Sequence, residues 1–214
     1  MKLQIVTAAD NLPDWFERIA LPRMKWAAET WNATLVVMKP KVRMGVIVKM
    51  LLAEQVPLAD RTLFVDGDLI ISRNSPNPFE VFAPGFFYAA ADSPPGDLNN
   101  WNRADEMAFS QAILGSIRWA AGYFNTGVMI CDKNHAGAWT NFVHCPFTFP
   151  EQTFTNYRVR ELGYALKELP WQWNATIINT PKDRKQSDGY IPHAAGIAGQ
   201  ARADWMVAMD KAMP

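Results

Sequence analysis

Leu63-Phe64-Val65-Asp66-Gly67-Asp68-Leu69-Ile70-Ile71 places two carboxylates one residue apart between two apolar runs. In an extended backbone, residues i and i+2 project to the same side. Asp66 and Asp68 therefore converge on one point, and Gly67 between them lets a ligand approach the backbone closely. Like charges held together at a strand end are costly unless a cation neutralises them. Hard carboxylate oxygens suit Mg²⁺ or Mn²⁺, ions that keep water and bind substrate phosphates. Alone, Asp-Gly is also an ordinary turn dipeptide. The apolar runs on both sides, and what lies downstream, favour the metal reading.

Outward from this stretch, strand and helix signals alternate. Residues 3–7, 34–38, 62–65 and 86–91 read as strands, and 128–131 as another. Between them, Asp10 or Asn11 can cap a helix with Pro13 near its first turn. Residues 45–55 read as a helix carrying Lys49, 105–118 as a third and 151–162 as a fourth. After Pro181 the chain turns polar and loop-like, so 181–214 is expected to be a loop and tail able to close over a bound ligand. This order predicts an α/β domain over 1–214, with a mostly parallel central sheet flanked by helices. Ligands of such sheets sit beyond the carboxyl ends of the strands. Asp10, the Asp66/Asp68 pair and Asp92 should then share one rim.

Composition narrows the function classes. At 214 residues the chain has one-domain length, and 49% hydrophobic residues suffice for a buried core. Equal numbers of basic and acidic residues, 21 of each, give no overall pull toward a polyanion. Cys131 and Cys145 lack disulfide density and zinc-ligand spacing, so buried or idle thiols are expected. Met1 to Val6 enters a strand-like segment without a secretory h-region, and no apolar stretch approaches the roughly 20 residues of a membrane span. A cytoplasmic location is the expectation.

Further blocks follow in order: Ile5 to Asn11; Lys49 ahead of the acidic pair; Tyr123-Phe124-Asn125-Thr126-Gly127-Val128-Met129; Glu151-Gln152; Leu169-Pro170 to Trp173-Asn174; and His193-Ala194-Ala195-Gly196. Together they resemble glycosyltransferase family 8, the glycogenin and bacterial galactosyltransferase group of GT-A fold. The resemblance spans nearly the whole chain. It implies a Rossmann-like GT-A domain that transfers sugar from a UDP-sugar with retention, using Mn²⁺ or Mg²⁺ held by Asp66, Asp68 and His193.

By the same resemblance, Ala8 and Asp10 lie in the nucleotide-binding turn, with Asp10 accepting from the uracil imide. Lys49 and Arg202 are phosphate partners, and Gly67 and Gly196 belong to the donor-binding blocks. Asp92 and Glu151 grip donor hydroxyls, while Asn125 and Gln152 lie by the reacting sugar. Plainer readings stay open: a helix cap for Asp10, a solvated face for Lys49, a strand-end turn for Asp92, helix-terminus charge compensation for Glu151, an exposed tail for His193 and Arg202.

Two departures stand out. The family's H-x-x-G usually leads to Lys-Pro-Trp, whose Lys holds the departing diphosphate; here Ile197 to Trp205 has no Lys, and Arg202 is the nearest cation. Glu151 also replaces the family's Asp. The acceptor is open among glycan, protein, lipid-linked sugar and modified nucleic-acid base. Two rival functions remain. A haloacid-dehalogenase-like phosphatase would use Asp66 as nucleophile and Asp68 as general acid, but the usual Thr and a later acidic pair are missing. A non-catalytic nucleotide-sugar binder would explain the missing Lys.

Overall fold

The computed structural model describes residues 1–9, 12–39, 49–50, 52, 56–92, 103–143 and 147–214. Six strands form one sheet in the order β2-β1-β3-β5-β4-β6: β1 Leu3–Ala8, β2 Thr34–Met38, β3 Arg61–Val65, β4 Phe87–Ala91, β5 Phe124–Asp132 and β6 Leu166–Glu168. The neighbours β1–β2, β1–β3 and β4–β6 pair parallel, while β5 pairs antiparallel with both β3 and β4. Five strands thus run one way and β5 alone runs back. The sheet is mixed, its strand directions mostly parallel.

Helices cover both faces, which is why the central strands read as unbroken apolar runs. Every residue of β3 is buried. Alternation sorts its side chains: Leu63 and Val65 join Ile5, Val128 and Ile130 under α1 (Leu21–Thr30). Phe64 joins Val6, Met129 and Cys131 on the other face, with Phe154 and Val159 of α4 (Pro150–Glu161). α1 continues a π-helical turn, Phe16–Ala20, and α2 (Pro78–Val81) and α3 (Ala104–Leu114) complete the chain before β5 and α4. The expected cap at Asp10 or Asn11, Cys145, and most of the helix expected over 45–55 lie outside the described residues; of that helix, Lys49, Met50 and Leu52 are described and buried.

β5 organises the functional rim. Because it is reversed, its first residues meet the last residues of β3 and β4: Val128 faces Val65, and Phe124 faces Ala91. The register with β4 shifts between Ala89 and Ala90, where Met129 and Asn125 are the successive partners. Residues 126–128 are looped out of that ladder, an irregularity of the kind that re-aims side chains beside sites. The Gly127 carbonyl instead accepts from the Asp66 N–H at 2.8 Å.

The C-terminal segment departs from the expected loop. Residues Gly199–Ala212 form α5, 14 residues long, after two glycines with positive φ (Gly196 +80°, Gly199 +58°). Met206 and Met213 are buried in the α1 side of the core, with Trp205 and Met209 packed against it. Arg23 of α1 binds Asp210 at 3.0 Å and the Pro214 carbonyl. The apolar spacing 206, 209, 213 is helical, and that periodicity outweighs the glycines before it. Among the described residues, no helix is long and apolar enough to cross a membrane.

Candidate functional site

Backbone pairing brings the acidic pair and His193 together. After β3, residues 68–72 run antiparallel to 190–194: the Ala194 N–H donates to the Asp68 carbonyl (3.0 Å), that of Ile70 to Pro192 (3.0 Å) and that of Ser72 to Tyr190 (2.9 Å). Leu69 and His193 form an isolated antiparallel bridge. His193 is buried, and its Nε2 lies 3.3 Å from Asp68 Oδ1 and 3.7 Å from Asp66 Oδ2. One ligand atom from each of Asp66, Asp68 and His193 falls within 4.8 Å of the others. Two carboxylate oxygens and one imidazole nitrogen at that spacing fit a divalent cation such as Mn²⁺.

Each carboxylate also has a protein cation. Lys49 Nζ binds Asp66 Oδ2 at 2.9 Å, with Thr126 Oγ1 at 3.3 Å and Glu151 Oε1 at 3.8 Å. Burial disfavours the Lys49 ammonium, but Asp66 and Glu151 outweigh it and raise its pKa above the ordinary value. Burial likewise would raise Asp68, yet His193, Arg202 and Lys49 hold it well below the usual carboxylate range. Glu151 moves the other way: burial raises its pKa against the pull of Lys49. Its Oε2 is buried and, among the described residues, without a hydrogen-bond partner, while Oε1 faces Lys49. A buried acceptor with free valence suits a ligand hydroxyl.

Arg202 reaches the same centre from the first turn of α5. Its Nη1 lies 3.3 Å from Asp68 Oδ2, and its Nε donates to the Ile197 carbonyl at 2.6 Å. The cation singled out as substitute for the absent Lys is thus at the acidic pair. Arg202→Ala should lower turnover about tenfold or more while leaving thermal stability nearly unchanged, since the side chain is one-third exposed (32%). Arg202→Lys should recover only part, a point charge replacing a planar fork. Steady-state rates beside melting curves check this; a melting loss matching the rate loss would make the residue structural.

Next to Asp66, Asp68 and His193 lies a chain of buried amides. Asn125 Oδ1 accepts from the Gly127 N–H (2.8 Å) and from Asn174 Nδ2 (2.9 Å), and Asn125 Nδ2 donates to Gln152 Oε1 (3.1 Å). Gln152 Oε1 also accepts from the Thr126 N–H (3.2 Å), and its Nε2 donates to Asp92 Oδ2 (3.3 Å). Asp92 in turn binds Arg103 at 2.7 Å, and that guanidinium stacks 4.3 Å from the Phe149 ring centre. Asn125, Gln152, Glu151 and Asp92 therefore share one buried wall beside the acidic pair.

The remaining residues singled out by sequence are placed as follows. Ala8 ends β1, and its carbonyl is 3.4 Å from where a Cβ on Gly67 would stand. That Cβ would collide with Leu12, so the segment leading into the first helix is what crowds Gly67. Gly196 holds a positive φ in open space. Asp10 lies outside the described residues. Sequence reasoning missed Arg103, Thr126, Gly127 and the linking part of Asn174. The last three sit inside the quoted blocks, but linear spacing carries no trace of who meets whom across the rim.

No family model matches the chain, and no curated protein matches it in sequence. Solved structures do match. A glycosyltransferase involved in glycosylation of the major capsid of PBCV-1 superposes with TM-score 0.66 at 14% identity, covering 99% of this chain and 100% of that one. The galactosyltransferase LgtC, solved with donor and acceptor sugar analogues, gives 0.60 at 14%, over 98% of this chain and 96% of its own. The glycosyltransferase GlyE of Streptococcus pneumoniae TIGR4 gives 0.55 at 15%, over 99% of this chain and 62% of its own. At such identities the likeness is one of architecture: this chain has the mixed α/β fold of the GT-A glycosyltransferases.

Proposed function

We propose that the chain is a metal-dependent glycosyltransferase that moves a sugar, with retention, from a UDP-sugar to an acceptor among glycans, proteins, lipid-linked sugars or modified nucleic-acid bases. The convergence of Asp66, Asp68 and His193 at the rim of a glycosyltransferase fold carries this reading. Bound there, Mn²⁺ or Mg²⁺ would supply positive charge to the diphosphate as the sugar departs. Lys49 and Arg202, already beside the acidic pair, are placed to take phosphate oxygens when those arrive. Asp10 would take the uracil imide. Glu151 Oε2 and Asp92 would hold donor hydroxyls.

Asn125 and Gln152 present uncharged amides to the same wall, and neither is a nucleophile. Glu151 is engaged with Lys49. Attack from the leaving-group face, assisted by the departing phosphate, then accounts for retention without a covalent intermediate on the protein. Structural neighbours that are glycosyltransferases favour this reading over a phosphatase.

The test is release of UDP from a panel of UDP-sugars with Mn²⁺, and Gln152→Ala alongside. The parent should release UDP only with the metal present. Gln152→Ala should cut turnover about 10²-fold with donor affinity nearly unchanged, because an interaction made mainly in the transition state lowers kcat. A parent that binds no UDP with Mn²⁺, or that hydrolyses an aryl phosphate instead, would overturn the proposal. One that binds but never turns over would be a nucleotide-sugar binder.

A further inference from the structure

Arg103 closes the far end of the amide chain, away from His193. It stands at the N-cap of α3, and its side chain is mostly buried (16% exposed). Nε and Nη2 both reach Asp92 Oδ2, at 2.8 Å and 2.7 Å, and Gln152 Nε2 shares that oxygen at 3.3 Å. From Gln152 the chain runs through Asn125 to Asn174, whose Oδ1 lies 2.8 Å from His193 Nδ1. Arg103 and His193 thus stand at opposite ends of one hydrogen-bonded network.

The direction of the Gln152 amide follows from two neighbours whose chemistry is fixed. The backbone N–H of Thr126 can only donate, so the atom it meets is Oε1. Asp92, paired with a guanidinium, accepts, so Nε2 faces it. Turned over, the amide would offer its oxygen to an acceptor and its nitrogen to a donor. Asp92 holds that direction only while its own oxygen stays in place, and the guanidinium is what pins it. Charge-assisted bonds to a carboxylate are stronger than the neutral amide contact they support.

Arg103 is itself held in place. Its guanidinium lies 4.3 Å from the Phe149 ring centre and 5.5 Å from that of Tyr123, a stacked setting that suits arginine better than lysine. Three residues further along α3, Glu106 Oε1 accepts the Thr148 N–H and Oε2 the Thr153 hydroxyl, both at 2.8 Å. These bonds tie the first turn of α3 to the start of α4, the helix that carries Gln152. We propose that Arg103 is a positioning residue for the sugar-facing wall: it fixes Asp92 and, through Asp92, the direction of the Gln152 amide. The proposal rests on the transferase reading given above and adds the residue that sets the geometry of its sugar end.

Side-chain amide ¹H–¹⁵N spectra of the metal-free protein read the contact directly, with Gln152→Ala identifying the signal. In Arg103→Ala, exchange of the Gln152 amide protons with solvent should accelerate about tenfold or more. With UDP-galactose or UDP-glucose and Mn²⁺, its turnover should fall about 10²-fold, the effect of a small misplacement at the reacting end. Calorimetric UDP affinity with Mn²⁺ should hold. Arg103→Lys keeps a positive charge beside Asp92 and should recover only part of the turnover. Dilute guanidinium should raise the rate of Arg103→Ala and not that of the parent. Parent-like amide exchange in Arg103→Ala overturns the positioning role, and so does UDP affinity falling in step with turnover, which would make the residue structural. If Arg103→Ala does not fold, parent-like exchange and turnover in Arg103→Lys overturn it. A parent that binds no UDP with Mn²⁺ would overturn the transferase reading. The amide spectra, which need neither metal nor sugar, would still decide whether Arg103 fixes Gln152.

Discussion

Gly127→Ala is expected to expel the His193 imidazole from its position. A Cβ built on Gly127 collides with His193 Cε1, and it stands 2.6 Å from His193 Nδ1 and 2.9 Å from Asn125 Oδ1. Neither neighbour can give way cheaply. The ring is buried between two backbone segments, and the Asn125 oxygen is held by the N–H of Gly127 itself. Overpacking a site of this kind costs about 1–3 kcal/mol, and the proposed metal site would lose its nitrogen ligand as well. Thermal melting should show the first effect, and Mn²⁺-dependent UDP binding by calorimetry the second, falling below detection. A variant that binds UDP and Mn²⁺ like the parent would mean that the segment around His193 moves freely.

Asp66→Ala and Asp68→Ala are both expected to abolish Mn²⁺-dependent UDP binding, since one carboxylate does not hold the ion with its diphosphate. Their stabilities should differ. Asp66 is the 2.9 Å partner of Lys49, whose side chain is 9% exposed, and its removal leaves that ammonium with Glu151 at 3.8 Å. Losing one side of a buried pair costs roughly 3 kcal/mol. Asp68 faces Arg202, one-third exposed, where water can replace the lost partner, but also buried His193 at 3.3 Å, so the cost should be the smaller of the two at about 1–2 kcal/mol. Denaturant unfolding separates the two, and calorimetry with UDP and Mn²⁺ reads the common loss. Unchanged UDP affinity in either variant would remove that residue from the metal assignment.

Much of this architecture is legible in the chain. β2 spans the expected residues, and β1, β3 and β4 differ from expectation by one residue at an end, because each is a short apolar run closed by a polar residue. β6 went unread: three residues, one of them apolar, hold no period to detect. α5 was hidden behind Gly196 and Gly199, whose turn chemistry reads as loop while the methionines after them keep helical spacing. The expected start of β5 at Val128 fell short because residues 126–128, looped out of the ladder with β4, interrupt the strand's alternation. In the site, motif order pointed to Asp66, Asp68, His193 and Arg202, and the coordinates place these four together. Arg103 on Asp92 and Asn174 on His193 depend on how separate segments stack, and a linear string does not encode that locally.

The distribution of charge at the rim bears on the order in which ligands arrive. Asp66 and Glu151 face Lys49, and Asp68 faces Arg202, so the carboxylates of the rim already have protein cations beside them. A divalent ion arriving alone meets an environment already mostly compensated, and gains less than a bare acidic pair would give. A diphosphate arriving alone meets carboxylates. Entering together, as in the proposed reaction, the ion would be held by the carboxylates while the lysine and arginine released from them would take the phosphates. Each then strengthens the other's binding by the same factor, as thermodynamic reciprocity requires. In the proposed reaction, the spent nucleotide and its cation would also depart as a neutralised pair, and the two protein cations would fall back on the carboxylates behind them.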